Sequence, residues 1–149
     1  MRLLTTLTLV TLAFIAAAPA QESRTNPPQK REAQQGTEWQ SVITRQIEAF
    51  RAADAAGALS CASSDFRNGF KDPNQFYEYI ANSDYAPIVK SLSHSFGEFQ
   101  KGEDGNVLQI VTITGSDQQV YKAMYEMARE PEGWKVQGVS RLIADSIAT

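Results

Sequence analysis

One histidine and one cysteine are the scarce reactive groups of this 149-residue chain, set among more plentiful tyrosines and carboxylates. Any Ser-His-Asp or Cys-His relay must use His94, the only imidazole. His94 falls in an alternating stretch in which Leu92, His94, Phe96 and Glu98 share one face of a strand. A histidine and a carboxylate four residues apart on a strand lie roughly 13 Å apart, too far for contact but near enough to serve one pocket. An acid–base site of the kind that sets a carboxylate base against phenol donors in an apolar cavity has Glu98 as its candidate base and Tyr121 or Tyr125 as donors. Against that stands the commoner role of each residue: a histidine bonded to backbone at a strand end, and tyrosines alternating into a core. The candidates Glu98, His94, Tyr121 and Tyr125 show no established catalytic spacing, and no catalytic residue is assigned.

Cys61 has Leu59 and Ala62 near it and Ser60, Ser63, Ser64 and Asp65 around it. A reactive thiolate needs a positive charge or a helix N-terminus, so a buried, inert thiol is expected. A lone cysteine forms no internal disulfide and no cysteine-rich zinc site. A two-histidine metal site is excluded by count, and no phosphate-binding glycine motif occurs, because Gly102, Gly105 and Gly115 are isolated turn glycines. No metal and no cofactor are expected.

The elements that position these residues follow from periodicity. Trp39, Val42, Ile43, Ile47 and Phe50 form one helical stripe, with Thr37 as its cap. Gly57 marks a break before or within a short second helix through 58–62. Asp72-Pro73-Asn74-Gln75 opens another helix with a capping box, whose stripe is Phe76, Tyr79 and Ile80, and Ala86-Pro87 closes it. After Pro87 the period becomes two. Strands are predicted from about Ser91, over Val107–Thr114, around Tyr121–Met127 and from Trp134, with turns at Glu103–Asn106, Gly115–Asp117 and Pro131–Gly133. Helices followed by a four-stranded antiparallel meander make an α+β fold, with the helices packed on one sheet face.

That face assignment carries a further expectation. The second strand is apolar on both sides, with Val107, Val111 and Ile113 on one and Leu108 and Ile110 on the other. The fourth sets Trp134, Val136 and Leu142 against Val139 and Ile143. A sheet covered on one side should show one polar face. The pattern therefore points to a homodimer through the open face, to another partner, or to the tail 142–148 folding back.

The chain's first twenty residues read as a secretory signal. Met1-Arg2 is a short positive region, 3–17 is apolar, and Ala18-Pro19-Ala20 sets small residues before a cut near Ala20. The apolar run is short for a membrane span, which needs about 20 residues, so no stable span is expected after processing. Residues 21–36, QESRTNPPQKREAQQG, lack large apolar side chains and are read as a flexible linker. Residues 37–149 then form one domain in the periplasm or outside the cell. The net charge is −3 and becomes more acidic once Arg2 is lost, so no nucleic-acid partner is expected.

The stretches Gln46-Ile47-Glu48-Ala49-Phe50-Arg51-Ala52-Ala53-Asp54, Tyr85-Ala86-Pro87-Ile88-Val89, Phe96-Gly97-Glu98 and Gly133-Trp134-Lys135-Val136-Gln137-Gly138-Val139 resemble the bacterial domain-of-unknown-function family 4864. The order of elements resembles the cone fold of the nuclear transport factor 2-like superfamily. The resemblance covers about Thr37–Leu142 and implies a curved sheet and an exported bacterial protein. It implies no activity, and nothing from cone-fold isomerases carries over residue by residue. The resulting expectation is a non-catalytic exported domain that binds a small apolar ligand or a protein partner. The alternatives are a cone-fold enzyme using Glu98 and His94, and a dimeric assembly component of the envelope.

Overall fold

The computed structural model describes residues 28–144; the expected signal segment, the start of the linker and the last residues of the tail lie outside them. The chain runs α1 (Pro28–Arg51), α2 (Ala55–Ser60), α3 (Ser64–Asn68), α4 (Pro73–Ala81), α5 (Ala86–Val89), then β1 (Ser93–Lys101), β2 (Val107–Thr114), β3 (Val120–Glu130) and β4 (Gly133–Ala144). The strands form one antiparallel sheet in the order β1-β2-β3-β4. This is the α+β arrangement read from the sequence, with all helices preceding the sheet.

The core is the α1 stripe laid against one sheet face. Trp39, Ile43, Ile47 and Phe50 are buried together with Val107, Val111, Ile113, Ala123, Tyr125, Met127 and Val136. α1 starts at Pro28 rather than at Thr37, so part of the stretch read as a linker is helical. Its missing apolar residues do not prevent this, because the packed segment from Trp39 onward supplies the nucleus and extension adds one bond per residue.

Short capping interactions fix the other helices. Asp54 accepts from the Gly57 amide at 2.9 Å and opens α2, so Gly57 lies inside that helix. Asp72 accepts from the Gln75 amide at 3.0 Å, while Gln75 reaches back to the Lys71 amide at 3.3 Å, one residue before the reciprocal capping position. In α4 the buried residue is Phe76, and Tyr77 packs its ring 6.1 Å from Phe50. Tyr79, assigned to the buried stripe by sequence, is 59% exposed. Neither α3 nor α5 was expected. Pro87 sits in the first turn of α5, where a missing amide hydrogen costs nothing, instead of simply ending α4.

Two strand readings need correction, and both for one reason. In β1 the register runs Phe96↔Val111 and then Phe99↔Gln109, leaving an extra residue at Gly97–Glu98. A bulge of this kind reverses the alternation, so His94, Phe96 and Phe99 share the core face and Glu98 does not. In β4, Val136 pairs with Met127 and Gly138 with Glu126, so Gln137 is the extra residue. Val139 therefore moves to the core face opposite Tyr125, and a second register shift between Ser140 and Ile143 returns Ile143, 56% exposed, to the outer face opposite Lys122. Leu92 precedes β1 and is also exposed.

Gln109 makes the β1 bulge tolerable. Its side chain is fully buried in the middle of the core face of β2. The amide nitrogen donates to the carbonyls of Gly97 (2.9 Å), Glu98 (3.2 Å) and Ile110 (2.9 Å). Its oxygen accepts from Trp39 Nε1 at 3.0 Å and Gln40 Nε2 at 3.1 Å. Gln109→Leu strips the bulge of a donor and buried Trp39 of its acceptor, and is expected to lower unfolding free energy by about 2–4 kcal/mol. Urea denaturation measures it; an unchanged midpoint would remove Gln109 from this role.

Candidate functional site

Between α4 and the sheet lies a cavity of about 230 Å³. α1 contributes Gln46 and Phe50 to its wall, α4 contributes Phe76, Tyr79 and Ile80, and β3 and β4 contribute Tyr125, Val136 and Val139. Phe66, Tyr85 and Ile88 close the remaining sides. The β4 bulge is what brings Val139 into this wall. α4 packs chiefly on α2 and α5, which leaves room between it and the strands. Exposed Tyr79 brings the cavity to the surface.

Among the described residues the lining contains no carboxylate, amine, guanidinium, imidazole or thiol. Its polar groups are tyrosine hydroxyls and one amide. Gln46 is buried, and its nitrogen is committed to the Ala58 carbonyl at 3.1 Å. Tyr125 is 0% exposed and its hydroxyl has no hydrogen-bond partner among the described residues. Burial alone drives the Tyr125 phenol well above its ordinary range, so it stays protonated and remains a donor. A buried hydroxyl without a partner costs stability, and native folds rarely keep one without cause.

The structure spreads the sequence candidates over separate environments. Glu98 is exposed at the β1 bulge and lines no part of the cavity. His94 is half-buried near the end of α1. Arg51 Nη2 donates to His94 Nδ1 at 3.1 Å and Arg51 Nε donates to Ser91 Oγ at 3.0 Å. A ring nitrogen that accepts from arginine carries no proton, so Nε2 bears the hydrogen and donates to Thr44 Oγ1 at 2.9 Å. Desolvation lowers the pKa of His94, the Arg51 charge lowers it further, and Glu48 opposes both. His94 is held neutral by side chains rather than by backbone. An open groove of about 440 Å³ along α1, lined by residues including Thr44, Glu48 and Phe96, does not include His94 either.

Tyr121 and Tyr125 share the core face of β3 but differ in bonding. The Tyr121 hydroxyl donates to Asp117 Oδ2 at 2.6 Å, closing the β2–β3 turn. That bond raises the tyrosine and lowers the aspartate. Glu130 accepts from the Ser64 amide at 2.7 Å and the Ser64 hydroxyl at 2.9 Å, which anchors α3 to the sheet. Cys61 is buried, and burial pushes its thiol up, in keeping with an inert thiol. Among the described residues no three His, Cys, Asp or Glu side chains group as metal ligands, and no helix is long and apolar enough to cross a membrane. The structure thus brings Tyr125 to a cavity and leaves Glu98, His94 and Tyr121 outside it. Gln46 was missed by sequence reading; its only signal was a polar residue on the buried side of the α1 stripe.

The family model described as "Domain of unknown function (DUF4864)" matches residues 32–149, and the chain belongs to that family. No curated protein and no solved structure matches it.

Two outcomes follow from these environments. In the ligand-free protein, Tyr125→Phe removes an unbonded buried hydroxyl without changing shape and is expected to raise stability by about 1–3 kcal/mol; a lower denaturation midpoint would show that the hydroxyl has a partner. For His94 the folded pKa lies below the ordinary 6.5, so the unfolded chain takes up the proton first. Its contribution to stability is present above about pH 6.5 and is lost as pH falls through that value toward the folded pKa. Urea midpoints measured from pH 8 to 5 should fall less steeply in His94→Gln than in the wild type.

Proposed function

We propose that this member of the DUF4864 family is an exported, non-catalytic binding domain that holds a small, mainly apolar ligand in the cavity under α4. The observation that carries this reading is the cavity itself: a recess of about 230 Å³ walled by aromatic and aliphatic side chains, reaching the surface at Tyr79, with no acid, base or nucleophile beyond tyrosine among its described residues. Recesses with apolar walls and few polar groups are the usual form of small-molecule sites. General acid–base chemistry draws most often on His, Asp, Glu, Lys or Cys side chains, and the described lining holds none of them. The bulges in β1 and β4 bend those strands and support a curved sheet of the nuclear transport factor 2-like, cone-shaped kind. The Ala18-Pro19-Ala20 pattern supports cleavage near Ala20 and a periplasmic or secreted address in a bacterium, with 37–149 as the working domain.

A second observation favours pairing of two copies. The outer face of the sheet carries Leu108 and Ile143, both exposed, beside partly covered Ile110 and Met124. On β3, Lys122, Met124 and Glu126 share this face, with Met124 between the charges. A two-fold axis through Met124 sets the apolar centre of this face against itself, the self-complementarity that an isologous contact requires. The ligand reading does not depend on it.

Native mass spectrometry of protein purified from its own host is expected to retain an organic adduct, and Val139→Trp, which fills the recess, is expected to lose it. Repeated preparations without any adduct would count heavily against the ligand reading. Light scattering at micromolar concentration is expected to give a dimer for the wild type and a monomer for Met124→Asp; a wild-type monomer ends the pairing proposal.

A further inference from the structure

The cavity's lining narrows its occupant further. Benzene fills an apolar cavity of roughly 150 Å³, and drug-sized ligands need upwards of about 300 Å³. The recess at about 230 Å³ lies between these, the size for one ring with a short substituent. Phe50, Phe66 and Phe76 surround it with ring centroids 5.6 and 5.8 Å apart, Phe66 meeting Phe76 edge to face. Such walls accept a further ring by the same edge-to-face contacts. A carboxylate or ammonium ligand would meet no counter-charge among the described residues of the wall, so the lining favours a neutral one.

The polar complement is as restrictive. The Tyr125 hydroxyl is fully buried, protonated and without a partner, in a side chain that forms part of the wall. It lacks an acceptor among the described residues, and because the recess leaves it no surface open to a water-sized atom, a ligand reaches it by displacing neighbouring wall side chains. A carbonyl oxygen supplies one and brings no hydrogen of its own that would need a second partner, whereas a hydroxyl or amine does. Gln46, the other buried polar group of the wall, cannot take the acceptor's place in a ligand's absence, since its nitrogen is held by Ala58 and Tyr125 remains unbonded.

Resting on the ligand-binding reading above, we propose that the cavity selects a neutral, single-ring organic carbonyl compound, and that Tyr125 is the specificity-determining residue, donating its hydroxyl hydrogen to the ligand's carbonyl oxygen. No covalent step is involved. The ligand enters and leaves unchanged.

Acetophenone and ethylbenzene serve as probes because they share shape and differ in the carbonyl. Their affinities for the full chain are measured by calorimetry in the wild type and in Tyr125→Phe, whose folding is checked by its melting curve. The expected result is that the ratio of acetophenone to ethylbenzene affinity falls about tenfold on substitution, the loss of one hydrogen bond and its compensation of a buried donor. An independent readout is the carbonyl ¹³C resonance of bound acetophenone, expected downfield in the wild type and not in Tyr125→Phe. An unchanged ratio, with ethylbenzene still bound, overturns the role of Tyr125 and leaves the apolar cavity standing; it is also the result if an ordered water satisfies the hydroxyl. Failure of both probes to bind the wild type overturns the cavity reading, and this proposal with it.

Discussion

A single buried amide, Gln109, holds the helical layer and the sheet edge in one geometry. It stands on the core face of β2 between Val107 and Val111, where an aliphatic side chain would ordinarily be found. Its nitrogen supplies hydrogens to the carbonyls around the β1 bulge and its oxygen anchors Trp39 and Gln40 on α1. Trp39 in turn meets Phe99 and Trp134 edge to face at 5.0 and 5.4 Å. One polar group therefore joins β1, β2, α1 and β4. In a low-dielectric interior a fully satisfied network of this kind restricts the alternatives, because any slip of register leaves several polar groups without partners. The bulge it supports determines which residues of β1 face the helices.

The general plan was legible from the sequence because its periods are long and clean. The α1 stripe, the four strands and the glycine turns each rest on several residues that agree. Faces within the strands were not legible beyond the bulges. One extra residue inverts the side chains that follow until a second one restores them, as between Ser140 and Ile143, and neither Gly97-Glu98 nor Gln137-Gly138 announces itself by composition. Glu98 was placed on the same face as His94, and Val139 on the opposite face from Val136, for that reason alone. α3 and α5 escaped because four or five residues carry too little periodicity to register, and what holds them comes from far along the chain. Ser63 donates its amide to the Val136 carbonyl, and Glu130 receives Ser64.

The same limit applies to the candidate site. Tyr125 could be named from the sequence as one of two tyrosines on β3, but not distinguished from Tyr121. What separates them is the company each keeps: Tyr121 has Asp117 four residues earlier, and Tyr125 finds no hydrogen-bond partner among the described residues. His94 looked like the scarce reagent, yet its two nitrogens are both occupied, by Arg51 and Thr44. Scarcity in a sequence is a statement about what chemistry is excluded. Reactivity depends on which partners are missing, and that is visible only after folding.

The distribution of satisfied and unsatisfied groups then has a direction. Gln109, His94, Tyr121 and Glu130 all have their partners inside the chain and lie where the helices or turns grip the sheet. The one side-chain polar atom left buried and unbonded among the described residues belongs to Tyr125, in the wall of the cavity beneath α4. A fold that satisfies its other buried groups and leaves this one open keeps a locally costly arrangement in the place where a guest can offset it. Phenylalanine would fill the same space without that cost. The hydroxyl of Tyr125 thus fits poorly as a packing feature and well as half of a hydrogen bond whose other half comes from outside the chain.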